Sequence, residues 1–295
     1  MTNAPSWTVE GRTWPNRASS RFVDVGRQRW HVQVMGPEGA PVVLLLHGTG
    51  AATHSWRDLA PLLAAQFRVV ALDLPGHGFT SGRPANGLAM PAMAREVSDL
   101  MVAFALEPAL IVGHSAGAAI AIRMVIDGHA KPAAIVGLSA ALLPFPGLAA
   151  KLFPTLARLL FVNPLAPHLF ARLGRIRGET GRFLARSTGS RIDAAGIDCY
   201  QKLFATSGHC SGAITMMADW DLPALKRELP RLSVPLLMIH GEADAAIPLS
   251  NAREAAAMVA NARLIALPGL GHLAHEEKSG DIAALITEFA AEVSR

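Results

Sequence analysis

The chain has 295 residues, of which 51% are hydrophobic and only 17% charged, with 26 glycines and 20 prolines. Soluble domains average roughly 25% charged residues, so this apolar composition excludes a disordered or collagen-like chain and supplies core for one large domain or two small ones. Its 27 basic against 23 acidic residues leave a balance of +4, too weak over this length to imply a nucleic-acid partner.

The N-terminal stretch MTNAPSWTVEGRTWPNRASSRF has no apolar run, so no secretory signal is expected. Predicted strands Arg29–Met35 and Val42–Leu46 come first. A helical pattern over Trp56–Ala65, a strand over Arg68–Leu72 and a helix over Pro91–Ala105 follow. Strand Leu110–Gly113 leads into helix Ala116–Gly128 and strand Ala134–Leu138. After a long interruption the alternation resumes with strand Pro235–His240, helix Ser250–Val259, strand Leu264–Leu267 and helix Gly280–Val293. Runs such as VVLLL and LLMIH are apolar on both faces, as parallel strands covered on both sides require. The pattern predicts an α/β chain with a doubly wound, mostly parallel sheet.

The longest uncharged stretch, Pro132–Ala150, is broken by Pro132, Pro144 and Pro146; it reads as a buried strand entering a loop, not a membrane span. Cys199 and Cys210 have neither disulfide-framework nor zinc-site spacing. A cytoplasmic protein without metal or other cofactor is expected. Between about Ala140 and Trp220, Leu/Phe-rich patches punctuated by prolines predict short helices over the sheet. From Gly147 to Arg191 eight basic residues face Glu179 alone, a net of +7. The rest of the chain is therefore near −3.

The segment LIVGHSAGAAIAIRM carries Gly113-His114-Ser115-Ala116-Gly117, a G-x-S-x-G turn with an apolar strand before it and a helix former after it. Such a turn projects Ser115 above the sheet. A serine hydroxyl becomes a nucleophile only when a base takes its proton, and that base needs an orienting carboxylate. Asp244 follows strand PLLMIH and His272 follows strand LIALP, in the order Ser, Asp, His and at the strand edge where α/β sheets bind ligands. Glu242 is the rival acid. His275 lies three residues past His272, a spacing open to a metal pair but with no third ligand nearby. Strand VVLLL ends in His47-Gly48-Thr49-Gly50, where the N–H groups of Thr49 and Ala116 form a candidate oxyanion hole. Asp73 and His77 read as structural turn residues.

The strings HGTG, DLPGHG, GHSAG, GEAD and GLGH, in that order, resemble the α/β-hydrolase superfamily. The resemblance implies a core of residues 1–139 and 220–295, with residues 140–219 as a helical cap between the sixth and seventh core strands. A serine at position 115 sets the chain apart from haloalkane dehalogenases and epoxide hydrolases, whose nucleophile is an aspartate. WPNRASSRFV, HGTGAATHSWRDLAPLL, ALLPFPGLA, TGSRID and MMADWDL further resemble the magnesium-chelatase accessory branch of bacteriochlorophyll biosynthesis. That branch implies a role near magnesium insertion into protoporphyrin and, with it, contact with the chelatase.

Phe145, Phe153, Phe161, Phe170, Met216 and Met217 are expected to line an apolar chamber above Ser115, or else to pack the cap's own helices. His47, Gly48 and His114 flank that pocket. For the basic cap three readings stand: a solvated helical face, a site for porphyrin propionates, or contact with an anionic membrane surface. Two functions follow: a serine hydrolase acting on an ester of an apolar substrate, or a non-catalytic porphyrin-binding or chelatase-assisting protein on a hydrolase scaffold.

Overall fold

The computed structural model describes residues 3–82, 84, 87–144, 163 and 165–294. Among the described residues nine strands form one sheet: β1 (Ser20–Val25), β2 (Gln28–Met35), β3 (Val42–Leu46), β4 (Arg68–Leu72), β5 (Ser81–Gly82), β6 (Pro108–His114), β7 (Ala134–Leu138), β8 (Leu236–Gly241) and β9 (Ala262–Leu267). The spatial order is β1-β2-β4-β3-β6-β7-β8-β9, with β5 beside β2. The pairs β1–β2 and β2–β4 are antiparallel; from β4 to β9 every pairing is parallel.

Strands β3, β6, β7 and β8 sit at the centre, and nearly all their residues are buried. That follows from their chemistry, since branched apolar side chains on both faces gain only if both faces are covered. Alternate residues sort accordingly. Leu44 and Leu46 pack with Met93, Val97, Ile120 and Leu225 on one face. Val43 and Leu45 pack with Trp56, Leu63, Ile286 and Phe289 on the other. The expected doubly wound α/β architecture is therefore present. The sequence pattern does not flag β1, because its SRFVDV run is only half-buried at the sheet edge.

With the two-residue β5 set aside, β7 and β8 are the sixth and seventh strands. Between them lie helices Ala166–Gly174, Glu179–Thr188, Ala194–Phe204 and Ser207–Ala218. Among the described residues no helix is long and apolar enough to cross a membrane. Polar contacts tie this insertion to the core. His209 donates from Nε2 to the Gly50 carbonyl at 3.0 Å and accepts the Gly78 N–H at Nδ1, also at 3.0 Å. Arg57 bonds Glu276 of the core and Asp193 at the start of an insertion helix. Replacing His209 by Ala would orphan a buried N–H and a buried carbonyl and leave a cavity. We expect a loss on the order of 3 kcal/mol in denaturant unfolding; an unchanged midpoint would show that these two bonds do not hold the insertion down.

Candidate active site

The turn from β6 into helix Ala116–Ile126 places Ser115 at φ 50°, ψ −113°, a region that costs a non-glycine residue roughly 1–3 kcal/mol. Neighbouring strands hold it there. The Ser115 N–H donates to the Leu138 carbonyl at the end of β7 (2.9 Å), and its own carbonyl accepts the N–H groups of Ala118 (3.2 Å) and Ala141 (3.1 Å). Close backbone approach fixes the rest. A Cβ on Gly117 would lie 2.0 Å from the Leu46 carbonyl oxygen, and one on Gly48 would lie 3.1 Å from Ser115 Cβ and 2.7 Å from His114 Nδ1. The His47–Gly50 turn thus rests directly on the serine. Ala116 is the first residue of its helix, so its N–H has no intrahelical acceptor. Thr49, in the adjacent turn, donates its hydroxyl to the buried Met216 sulfur at 3.7 Å.

Asp244 follows β8 and its side chain is fully buried. Its Oδ1 accepts the N–H groups of Ala246 and Ile247, each at 2.8 Å, and its Oδ2 faces His272 Nδ1 at 2.8 Å. Burial pushes this carboxyl up, but the His272 bond and charge, the Ile247 N–H and nearby His240 prevail, holding it below the usual carboxylate range. An ionised Asp244 accepts a hydrogen bond from the Nδ1–H of His272, which fixes that tautomer and leaves Nε2 as the nitrogen without a proton. His114, the residue before Ser115, connects the two halves: its Nε2 donates to the His272 carbonyl at 3.1 Å, and the two rings lie 4.8 Å apart.

The chain matches the alpha/beta hydrolase family model over residues 43–285. It belongs to the alpha/beta hydrolase family. It is 38% identical over 276 residues to the magnesium-chelatase 30 kDa subunit of Rhodobacter capsulatus, covering 94% of this chain and 96% of that one. With the pimeloyl-[acyl-carrier protein] methyl ester esterase of Vibrio atlanticus it shares 26% identity, covering 76% and 83%. Among solved structures, a putative lipase from Acinetobacter baumannii superposes with a TM-score of 0.78 at 20% identity, covering 93% and 91%.

The structure gathers Ser115, Ala116, Gly48, Thr49, His114, His272 and Asp244 of this hydrolase-family chain around one strand edge. Other expectations shift. His47 is buried with both nitrogens engaged, Nδ1 on the Gly48 carbonyl and Nε2 accepting the Leu74 N–H, so it shapes the turn and has no nitrogen left for a ligand. Met216 is fully buried, but Met217 is 42% exposed. Adjacent helical residues point about 100° apart, and it is Met216 that turns toward Thr49. Phe170 likewise faces outward, 47% exposed. Phe145, Phe153 and Phe161 lie outside the described residues. Glu242 is exposed and makes no claim on His272.

Two contributors carry no motif. The Thr188 carbonyl, at the end of an insertion helix, accepts the N–H of His272 (2.8 Å) and of Ala245 (3.3 Å). Ser190 Oγ accepts the Leu273 N–H at 2.8 Å. A backbone acceptor leaves no mark in residue type; TGSRID is the one signal the sequence carries there.

Behind the site runs a buried polar cluster. His275 Nε2 meets Ser55 Oγ at 2.8 Å, and Glu276 accepts from Ser55 (2.6 Å), Tyr200 (2.7 Å) and Arg57 (3.0 Å). The His275 ring also packs on His114 at 4.5 Å. It is therefore a partner of Ser55, not of His272 in a metal pair. Burial, above all, lowers His275 to about 3 and His209 to about 4, and raises Glu276 to about 7.

The signs oppose. Unfolded histidines bind protons near pH 6.5, so acidification from 6.5 to 5 costs about 1.5 kcal/mol for each of these two. Glu276 binds its proton more tightly when folded, so its contribution is full below about pH 4.5 and lost as pH rises through about 7; the same acidification restores about 2 kcal/mol. His54, His77 and His114, also pushed well below 6.5 by burial, add to the histidine side. Urea midpoints should therefore fall between pH 6.5 and 5, and a rise would place control with Glu276.

Proposed function

We propose that this protein is a serine hydrolase that cleaves a carboxylic ester of a large apolar molecule. The observation that carries the reading is the Asp244–His272 pair, at 2.8 Å, joined through His114 to a serine held in a strained turn. In this reading His272 Nε2 takes the Ser115 proton as Oγ bonds to the carbonyl carbon. The oxyanion of the tetrahedral intermediate accepts the N–H groups of Thr49 and Ala116. His272 then protonates the departing alkoxide as the carbon–oxygen bond breaks. Water attacks the acyl-serine, giving its proton to His272, and the acid leaves as Ser115 regains its hydrogen.

Residues 140–219 act as the cap over this site, with Met216 beside Thr49 as part of its apolar lining. The substrate class is drawn from the 38% identity to a protein named a magnesium-chelatase subunit: a tetrapyrrole ester near the step of magnesium insertion. The same similarity favours a second reading, in which the fold binds a porphyrin or assists magnesium chelatase without chemistry.

A fluorophosphonate probe should label wild type and leave Ser115→Ala unlabelled; equal labelling of both removes the serine assignment. Asp244→Asn should slow labelling on the order of 10³- to 10⁴-fold, because the amide reverses the hydrogen bond that fixes the His272 tautomer. A pigment-producing strain carrying Ser115→Ala separates the two readings. Accumulation of an esterified tetrapyrrole supports the hydrolase, and normal pigment supports the accessory role.

A further inference from the structure

The insertion carries a surface unlike the rest of the chain. Among the described residues, six of the ten exposed large apolar side chains fall within nineteen positions: Leu165, Leu169, Phe170, Leu173, Ile176 and Phe183, each between 46% and 69% exposed. Helix Ala166–Gly174 is turned inside out. Its buried residues are Ala166, Pro167, Ala171 and Gly174, small groups that pack close, while Leu169, Phe170 and Leu173 point away. An amphipathic helix on a water-facing surface does the reverse. Contiguous apolar exposure of this kind marks a binding surface.

The charges interleaved with it narrow the partner. Arg172, Arg175, Arg177, Arg182 and Arg186 are all exposed. Glu179 is the one carboxylate between Leu165 and Arg191, and it is tied to Arg182. We propose that helices Ala166–Gly174 and Glu179–Thr188, with the Arg175–Gly178 turn between them, dock on the surface of an anionic lipid bilayer. The Leu and Phe side chains enter the acyl boundary, and the arginines meet lipid phosphates while their alkyl stems lie along the apolar edge.

A second copy of the chain fits this face poorly. A twofold contact sets the same patch against itself, so five arginines would meet five with one carboxylate on each side. Nucleic acid would match the charge and leave the aliphatic surface in water. This docking does not depend on the reaction proposed for Ser115.

Sedimentation with vesicles tests it. Wild type should pellet with phosphatidylcholine vesicles containing about a third phosphatidylglycerol, and at least about tenfold less with pure phosphatidylcholine or in high salt. Arg172→Glu/Arg175→Glu/Arg177→Glu should lose that binding about tenfold, and so should Leu169→Ser/Phe170→Ser. Both variants should keep a thermal midpoint within a few degrees of wild type, because every changed side chain is exposed and the one backbone bond lost, from Arg175 Nε to the Ala205 carbonyl, lies at the surface. Failure of wild type to pellet with the mixed vesicles, equal pelleting with both lipids, or pelleting unchanged in folded variants would overturn the proposal. So would a concentration-dependent dimer that the same substitutions dissolve without any vesicle binding, which would assign the face to a second copy.

Discussion

Ser115 occupies a backbone conformation that neither strand nor helix offers, and it stays there because three strand ends crowd around it. Its N–H is taken by Leu138 on one side, and Gly117 admits the Leu46 carbonyl on the other. The strain, on the order of 1–3 kcal/mol, is small beside the burial of the parallel strands that impose it. Each central strand buries three or more branched apolar side chains, and each such side chain gives roughly 1.5–3 kcal/mol. A sheet with this register delivers the serine hydroxyl, the first free N–H of a helix and the His47–Gly50 turn to one point. Asp244 and His272 then have only to reach that point from the next two strand ends.

The environment of that point is neutral imidazole. His114 packs against both His272 and His275, and His77 lies between His47 and His209 at ring separations of 5.3 Å. Burial keeps His47, His77, His114, His209 and His275 uncharged. They serve as polar packing, each ring nitrogen that is engaged placing a backbone group or a hydroxyl. Asp73 is the counterpart carboxylate. Fully buried, it accepts from Thr53 N–H, Phe79 N–H and His31 Nδ1, and His31 above all holds it far below the usual range against its own burial. It fixes the DLPGHG turn without touching the site. Asp244, given the same kind of backbone donors, differs in that its remaining oxygen faces His272.

Local chemistry decides how much of this is legible in sequence. Both-face apolar runs announce the parallel strands, and G-x-S-x-G between a strand and a helix announces the turn at Ser115, because those features are dictated within a dozen residues. The placement of Asp244 and His272 beyond successive strands is legible for the same reason. Strand β1 escapes because an edge strand needs only one half-buried face. The outward aim of Met217 and Phe170 escapes because helical phase is set by what the helix packs on. For Ala166–Gly174 that is a close contact through small residues, with Gly174 against the Phe204 backbone. His47 has the residue type of a ligand-binding group and spends both nitrogens on its own turn. Thr188 works through a carbonyl that any residue would supply.

That carbonyl changes how the insertion has to be understood. A lid hinged freely over a pocket would leave the site intact when it opens. Here the Thr188 carbonyl holds the N–H of His272 and also that of Ala245, next to Asp244, while Ser190 holds Leu273. His209 holds the Gly50 end of the turn beside Ser115. Lifting these segments together would release His272, the Asp244 loop and the His47–Gly50 turn at once, so any opening that preserves the site must leave Thr188–Ser190 and His209 in place. Glu179–Thr188 is also the helix that exposes Arg182, Phe183 and Arg186. At ten residues it is about 15 Å long, so one short rigid element spans from the outward basic face to the backbone of His272. Whatever seats on that face is mechanically one helix away from His272.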